Sequence, residues 1–277
     1  MDFIINFGIG GACFAATKTL SAPCERIHLD FSLMKEFGIS ISSFLKQYKH
    51  KSSLWKGNIH RITIGLPNQG FNFAFKDGYK VIFPHSSVYV DFWDFASMQC
   101  LCGALAGASS LAITYPADYV HYRWLRHRLA GGPLHTPSYS QCYQEILSTP
   151  QGPWGLYRGI QHSLGPVMLY RGLFFGLYDT ASATNPWQHS SSLGWLTSSL
   201  VLGLLTTRSA ELLSSPFLGA SNMLLLCSEG ASQSRPYKSV SDCVFKVGIY
   251  QLHLKHKPTS LQTFQSALLL VLYDQFH

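Results

Sequence analysis

Three times in this chain a proline closes a long apolar stretch, at Pro23, Pro116 and Pro216, 93 and 100 residues apart. The first two stand in matching octapeptides, Ser21-Ala-Pro-Cys-Glu-Arg-Ile-His28 and Thr114-Tyr-Pro-Ala-Asp-Tyr-Val-His121, which share the pattern Pro-x-acid-x-x-His. The third, in Ser214-Ser-Pro-Phe217, ends another apolar stretch. Leu54-Trp-Lys-Gly57 is echoed by Leu156-Tyr-Arg-Gly159, 102 residues on. The acid motifs at Asp77, Asp179 and Asp274 are spaced by 102 and 95 residues. A single short match arises by chance, but an ordered set of landmarks with one period marks tandem structural units. Three repeats are predicted, over 1–85, 86–188 and 189–277, each a pair of helices joined by a loop segment.

The apolar stretches fix the surroundings of those helices. Phe95 to Ala117 runs 23 residues without Asp, Glu, Lys or Arg, and Thr180 to Thr207 runs 28. Both exceed the roughly 20 residues that cross a bilayer. Polar Asn185, Gln188 and His189 divide the longer run into a connection and a helix starting near Leu193. With shorter stretches at Phe3–Thr17, Ile62–Phe75, Gly159–Tyr178 and Pro258–Tyr273, six membrane helices are predicted. Charged residues are only 13% of the chain, about half the usual share, which excludes a disordered chain. Mean hydropathy is a modest +0.09, so the helices must each carry polar residues on one face. Gly103-x-x-x-Gly107 and the glycines at 8, 10, 11 and 203 suit close helix packing in lipid. The net charge of +7 points to anionic partners: phosphates, nucleotides or lipid headgroups.

Pro-x-acid-x-x-basic, then aromatic-x-Gly, then aromatic-acid, three times in fewer than 300 residues, resembles the mitochondrial carrier family. Trp55 to Asp77 (WKGNIHRITIGLPNQGFNFAFKD), Thr17-Lys-Thr-Leu-Ser-Ala-Pro-Cys-Glu-Arg26, Tyr170-Arg171 with Phe175-Gly-Leu-Tyr-Asp-Thr-Ala181, and Val271-Leu-Tyr-Asp274 are similar to the ADP/ATP carriers within it. The likeness is dense in repeats one and two and patchy in repeat three. It implies an all-α membrane protein with six transmembrane helices in three two-helix repeats. It also implies a multi-pass, monomeric protein of the mitochondrial inner membrane that exchanges ADP and ATP, or another small anion, by alternating access. No enzymatic activity, catalytic residue or metal is implied, and no cofactor beyond cardiolipin as a bound lipid.

The resemblance also implies sites. Lys18, Asn72, Lys76, Val167, Tyr170 and Arg171 fall where the family binds substrate. Glu25, His28, Asp118 and His121 fall in a matrix-side gate, and Asp77, Lys80, Asp179 and Asp274 in a cytoplasmic one. Gly57 and Gly159 open helices whose N-terminal amides suit a lipid phosphate. The expected surviving pairs are Glu25–His121 and Lys80–Asp179, with Asp77 meeting His277. His28 and His121 replace stronger bases and titrate near neutral pH. Three departures oppose transport. Leu218 and Ser221 stand where the third matrix pair needs charges, Ile64 replaces a helix-two arginine, and Ser221-Asn-Met-Leu-Leu-Leu226 replaces a run of arginines and methionines. Repeat one also lacks most of its amphipathic matrix helix before Trp55, and Leu252-His-Leu-Lys-His-Lys257 stands in place of the third aromatic-x-Gly. The alternative is therefore a carrier-like membrane protein that does not transport.

Other motifs are weak. Gly8-Ile-Gly-Gly11 lacks the strand–turn–helix setting of a dinucleotide loop. His253 and His256 lack a third metal ligand nearby, and the seven scattered cysteines contain no Cys-x-x-Cys pair. The basic loops lack the aromatic pattern of nucleic-acid binders, so no nucleic-acid partner is expected.

Overall fold

The computed structural model describes residues 2–37, 55, 58–83, 87–131, 138–187, 192–227, 237, 239–255 and 260–276. Among these, every regular element is helical. Six are long: α1 (Asp2–Phe37), α2 (Asn58–Ile82), α3 (Phe92–Gly131), α5 (Ile160–Ala183), α6 (Ser192–Cys227) and α9 (Ser260–Phe276). Three are short: α4 (Tyr139–Leu147), α7 (Val240–Val247) and α8 (Ile249–Lys255). A 3-10 turn at Gly152–Tyr157 leads into α5. Each apolar stretch of the sequence lies in or overlaps a long helix, and the divided run yields α6 from Ser192.

The long helices form a closed ring in chain order. α1 packs on α2, α2 on α3, α3 on α5, α5 on α6 and α6 on α9, and α9 returns to α1. Across the ring α3 and α6 barely touch, which leaves space at the centre. α4 and the 3-10 turn pack under α3, while α7 and α8 pack under α6.

Small residues set how close the helices come. A Cβ on Gly176 of α5 would lie 2.3 Å from Cys100 Sγ of α3, and one on Gly103 would lie 2.8 Å from the Arg171 carbonyl. Gly107 and Gly172 meet the partner helix in the same way, so a glycine pair four residues apart on each helix forms the α3–α5 seam. In the α1–α2 seam, Gly65 and Gly70 receive Phe14 and Phe7, and Gly10 receives Phe73. The core behind the seams is aromatic, with Phe73, Phe174, Phe175, Tyr178 and Tyr273 nearly inaccessible.

Pro23, Pro116 and Pro216 lie past the middle of α1, α3 and α6, and each helix continues through its proline. A proline inside a helix lacks the amide for its i−4 bond, and side chains take two of the freed carbonyls. Trp55 Nε1 donates to the Thr19 carbonyl freed by Pro23, at 3.0 Å, and Ser215 Oγ to the Leu212 carbonyl freed by Pro216, at 3.2 Å.

By length and composition, two helical segments among the described residues are apolar enough to cross a membrane, 2–25 and 92–124. The other long helices are more polar. α2, for instance, carries Asn68, Gln69, Asn72, Lys76 and Asp77, residues that face the ring's interior or its rim, as described next.

Candidate functional site

A cavity of about 330 Å³ lies inside the ring against α2, α3, α5 and α6. Asn68 and Asn72 of α2, Tyr115, Asp118, His121 and Tyr122 of α3, Val167, Tyr170 and Arg171 of α5, and Leu218, Ser221 and Asn222 of α6 line it. Gly107 and Ser163 complete contacts along the α3–α5 side. The structure thus brings together Asn72, Val167, Tyr170, Arg171, Asp118 and His121 of the residues singled out in the sequence. It places Lys18 and Lys76 elsewhere.

Arg171 is 9% exposed. Its guanidinium lies over the rings of Tyr170 and Phe174, 5.5 and 5.9 Å from their centroids. Its hydrogen bond runs from Nη1 to Gln69 Oε1, at 3.3 Å. No carboxylate among the described residues pairs with it. Gln69 and the two aromatic faces hold the fork in place without neutralising it. Asp118 accepts from Thr114 Oγ1 at 3.4 Å and has no cation partner among the described residues. Asn72 donates to Asn68 at 2.7 Å, while its own Oδ1 is buried without a partner.

At the end of the ring that carries the acid motifs, charges are paired and sealed. Asp179 of α5 takes both lysines of α2, Lys76 at 3.0 Å and Lys80 at 2.6 Å. Lys76 is 3% exposed and sits among Phe73, Phe175 and Tyr273, whose rings favour a cation. Asp77 accepts from Asn6 of α1 at 3.3 Å and from the Tyr273 hydroxyl of α9. Hydrogen bonds and ion pairs at this end therefore join α1, α2, α5 and α9. Asp274 lies at the exposed end of α9. His277 is outside the described residues, so the Asp77–His277 expectation falls there.

The proline end is arranged differently from the sequence expectation. Glu25 does not take His121 as its partner. Lys18, one helical face away at i−7, reaches it at 2.7 Å, and Arg61 of α2 and Gln265 of α9 complete the group. Lys18 also donates to Gln265 Oε1 at 2.9 Å. His121 instead shares a 2.9 Å hydrogen bond with the Tyr139 hydroxyl and stacks against Trp124 and Tyr139. The cause is reach. α1 and α2 are direct neighbours, so Arg61 arrives before a histidine on α3 can. Besides the Gln265 bonds that tie α9 to α1, two bonds tie α3 and α5 to α6, Tyr122 to Asn222 at 3.2 Å and Ser221 to Ser163 at 3.1 Å. They are neutral, as the replacement of charges by Ser221 and Leu218 requires. The His28 side chain and the segment before Trp55 lie outside the described residues.

Of the two expected lipid glycines, Gly57 is also outside them. Gly159 has φ of +85°, a conformation other residues rarely adopt, and opens α5 without a side-chain cap. The Tyr115 hydroxyl fixes the turn by donating to the Arg158 carbonyl at 2.8 Å. At the corresponding place in repeat one, Trp55 Nε1 donates to the Thr19 carbonyl at 3.0 Å and Asn58 opens α2. Among the described residues no three His, Cys, Asp or Glu side chains converge as metal ligands.

Sequence reasoning missed Arg61, Gln265, Asn6 and Tyr273. Arg61 stands just before the apolar stretch that begins at Ile62, where a basic residue reads as an ordinary helix flank. The others become visible only once the ring order is known.

A closed ring of helices around a polar cavity, three of them carrying a proline past the middle, is the arrangement in which the chain's relatives can be read. The family model for mitochondrial carrier proteins matches residues 93–185. The ADP,ATP carrier protein of Parachlorella kessleri is 31% identical, covering 99% of this chain and 84% of that protein. ADP,ATP carrier protein 2, mitochondrial, of Arabidopsis thaliana is 30% identical over 99% of this chain and 75% of its own length. The ADP,ATP carrier protein of Neurospora crassa is 27% identical over 99% and 91%. The chain belongs to the mitochondrial carrier family, with its similarity directed to the ADP/ATP carriers. It is accordingly a transporter rather than an enzyme, and a multi-pass protein of the mitochondrial inner membrane.

Proposed function

We propose that this protein exchanges adenine nucleotides, or a closely related small anion, across the inner membrane by alternating access. In this reading all six long helices span the membrane as three two-helix repeats, and the chain works as a monomer. The observation that carries it is Arg171, a buried guanidinium on the wall of the central cavity with no carboxylate partner among the described residues. A cation held at mid-depth without a counter-charge is costly unless a solute supplies one. Tyr170, Val167 and Tyr115 beside it offer the apolar and aromatic surface a base needs.

The two ends of the ring support the cycle. The group around Asp179 serves as the cytoplasmic gate, closed in this structure. The proline end, where Glu25 is held within α1, α2 and α9 and α3 barely meets α6, serves as the open matrix side. Two sets of contacts that form in turn give the bistable element that alternating access needs. A cardiolipin phosphate at the amides that open α5 after Gly159 fits the same reading.

A second reading, a carrier-like protein without transport, is favoured by one observation: Asp118 has lost its cation, so one inter-repeat ion pair cannot form when the proline end closes. Reconstitution separates the two. Proteoliposomes loaded with adenine nucleotide should take up labelled nucleotide by exchange, and Arg171→Ala should lower uptake at least about tenfold. Uptake equal to that of protein-free liposomes would establish the second reading.

A further inference from the structure

Of the cations expected around the solute, the cavity wall retains one. Lys76 is committed to Asp179 inside an aromatic cage, and Lys80 shares that carboxylate. Lys18 and Arg61 both turn to Glu25, and Gln265 closes the group, so their donors converge on protein oxygens. That group keeps a net positive charge, yet none of its members lines the cavity. Arg171 is the one lysine or arginine among the described lining residues, and Asp118 faces the same space with no cation of its own. A single phosphate monoester carries about −1.5 to −2 charges near neutral pH. One guanidinium meets such a group with two parallel hydrogen bonds. Each further phosphate adds negative charge with no second cation to receive it, and brings that charge nearer Asp118 in a partly desolvated space. Apart from His121, which bonds the Tyr139 hydroxyl, and the apolar Leu111, Val167 and Leu218, the remaining lining is neutral and hydrogen-bonding, with Asn68, Asn72, Tyr122 and Asn222 among it. Such groups suit a ribose and a base.

We infer that the cavity is built for a singly phosphorylated nucleoside rather than a di- or triphosphate, and that Glu25 sets this limit by withholding Lys18 and Arg61. The inference rests on the nucleotide-exchange reading and narrows its substrate class. Arg171 takes the phosphate, and the exocyclic amino group of a purine is a donor that Asp118 can accept. Glu25 is a specificity residue that acts through the two cations it holds.

The test uses the full-length protein in proteoliposomes, with AMP, ADP and ATP as the probes, and thermal stabilisation of the purified protein by each as a second measurement. AMP should exchange at least about tenfold faster than ADP or ATP and give the largest thermal shift. Glu25→Gln releases Lys18 and Arg61 and should bring ADP and ATP to within about threefold of AMP. Asp118→Asn should improve ADP and ATP in the same direction. Exchange of ADP or ATP at or above the AMP rate by the unsubstituted protein overturns the inference while leaving nucleotide exchange standing. Failure of all three nucleotides to exchange or to stabilise the protein overturns the nucleotide reading, and the inference with it. An unchanged preference in a folded Glu25→Gln protein removes Glu25 from its role. The comparison in the unsubstituted protein needs no variant, so a misfolded variant does not shield the idea.

Discussion

Asp179 shows how a single carboxylate can hold two helices at once. Buried beside it, Lys76 has its charge compensated by Asp179 and by three aromatic faces. Removing one member of a buried pair costs more than the pair itself contributes, because the other charge stays behind without compensation. Asp179→Asn should therefore destabilise the folded protein by about 3–5 kcal/mol, read as a fall in Tm in detergent. Lys80 is far more exposed, and Lys80→Ala should cost about 1 kcal/mol or less. Equal losses from both substitutions would show that the site is solvated and that the aromatic cage does not matter. The Lys80–Asp179 pair could be read from the repeat spacing, since both residues sit at landmark positions. The partners of Glu25 could not. Repeat logic assigns partners across the ring, whereas the closest cation, Arg61, comes from the adjacent helix of the same repeat. With His121 turned to Tyr139, the pH-sensitive Glu25 pair that the histidine replacement implied does not arise.

At the scale of elements, the seam between α3 and α5 depends on absent side chains. Gly176 meets Cys100 backbone atoms at 2.7 and 2.8 Å from where a Cβ would lie, so α3 must move if anything larger is introduced. Gly176→Val should cost about 1–3 kcal/mol or more through overpacking. The same change at Gly78, where a Cβ meets nothing within 4 Å, should be close to neutral. Comparable Tm losses at both positions would refute the close-packed seam. The glycine spacing of this seam was legible on α3 from Gly103-x-x-x-Gly107, while its match on α5 needed the knowledge that those two helices meet. α4 offers a second check. Its capping box, in which Ser138 Oγ accepts from the Gln141 amide and Gln141 Oε1 accepts from the Ser138 amide, places Cys142 against α3 with no exposure. Burial pushes the Cys142 thiol up from its ordinary value. A raised thiol pKa means less thiolate at any given pH, so Cys142 should label with maleimide far more slowly than in denatured protein, even at pH ~8.5. Rapid labelling of the native protein at that pH would show that α4 does not dock under α3.

For the molecule as a whole, the sequence carried the all-helical class, because apolar stretches recur with a proline at a spacing near 100 residues, while the ring order of the helices came from their packing. It did not carry the state. Which end is closed depends on a balance of contacts between helices, and that balance shows only in three dimensions. Here the acid-motif end is joined through Asp179 and Asp77, and the proline end through the Glu25 group of α1, α2 and α9 and two neutral bonds onto α6. On the alternating-access reading, the buried pairs of Asp179 hold the acid-motif end shut, while α3 meets α6 at the proline end through a neutral bond, so the resting protein should favour one face. Leu218 lines the cavity beyond the gate. A cysteine introduced as Leu218→Cys, with exposed Cys24 replaced by Ser, should react with a membrane-impermeant maleimide from the proline side and scarcely from the other. Adding Asp179→Asn removes the contacts that hold the acid-motif end shut. A bias weakened by about 2–3 kcal/mol shifts the two populations by roughly 30- to 150-fold. Labelling from the acid-motif side should then rise by at least an order of magnitude, provided the Asn variant remains folded by its Tm. Labelling that stays confined to the proline side in a folded Asp179→Asn protein would mean that Asp179 holds the helices together without gating the cavity.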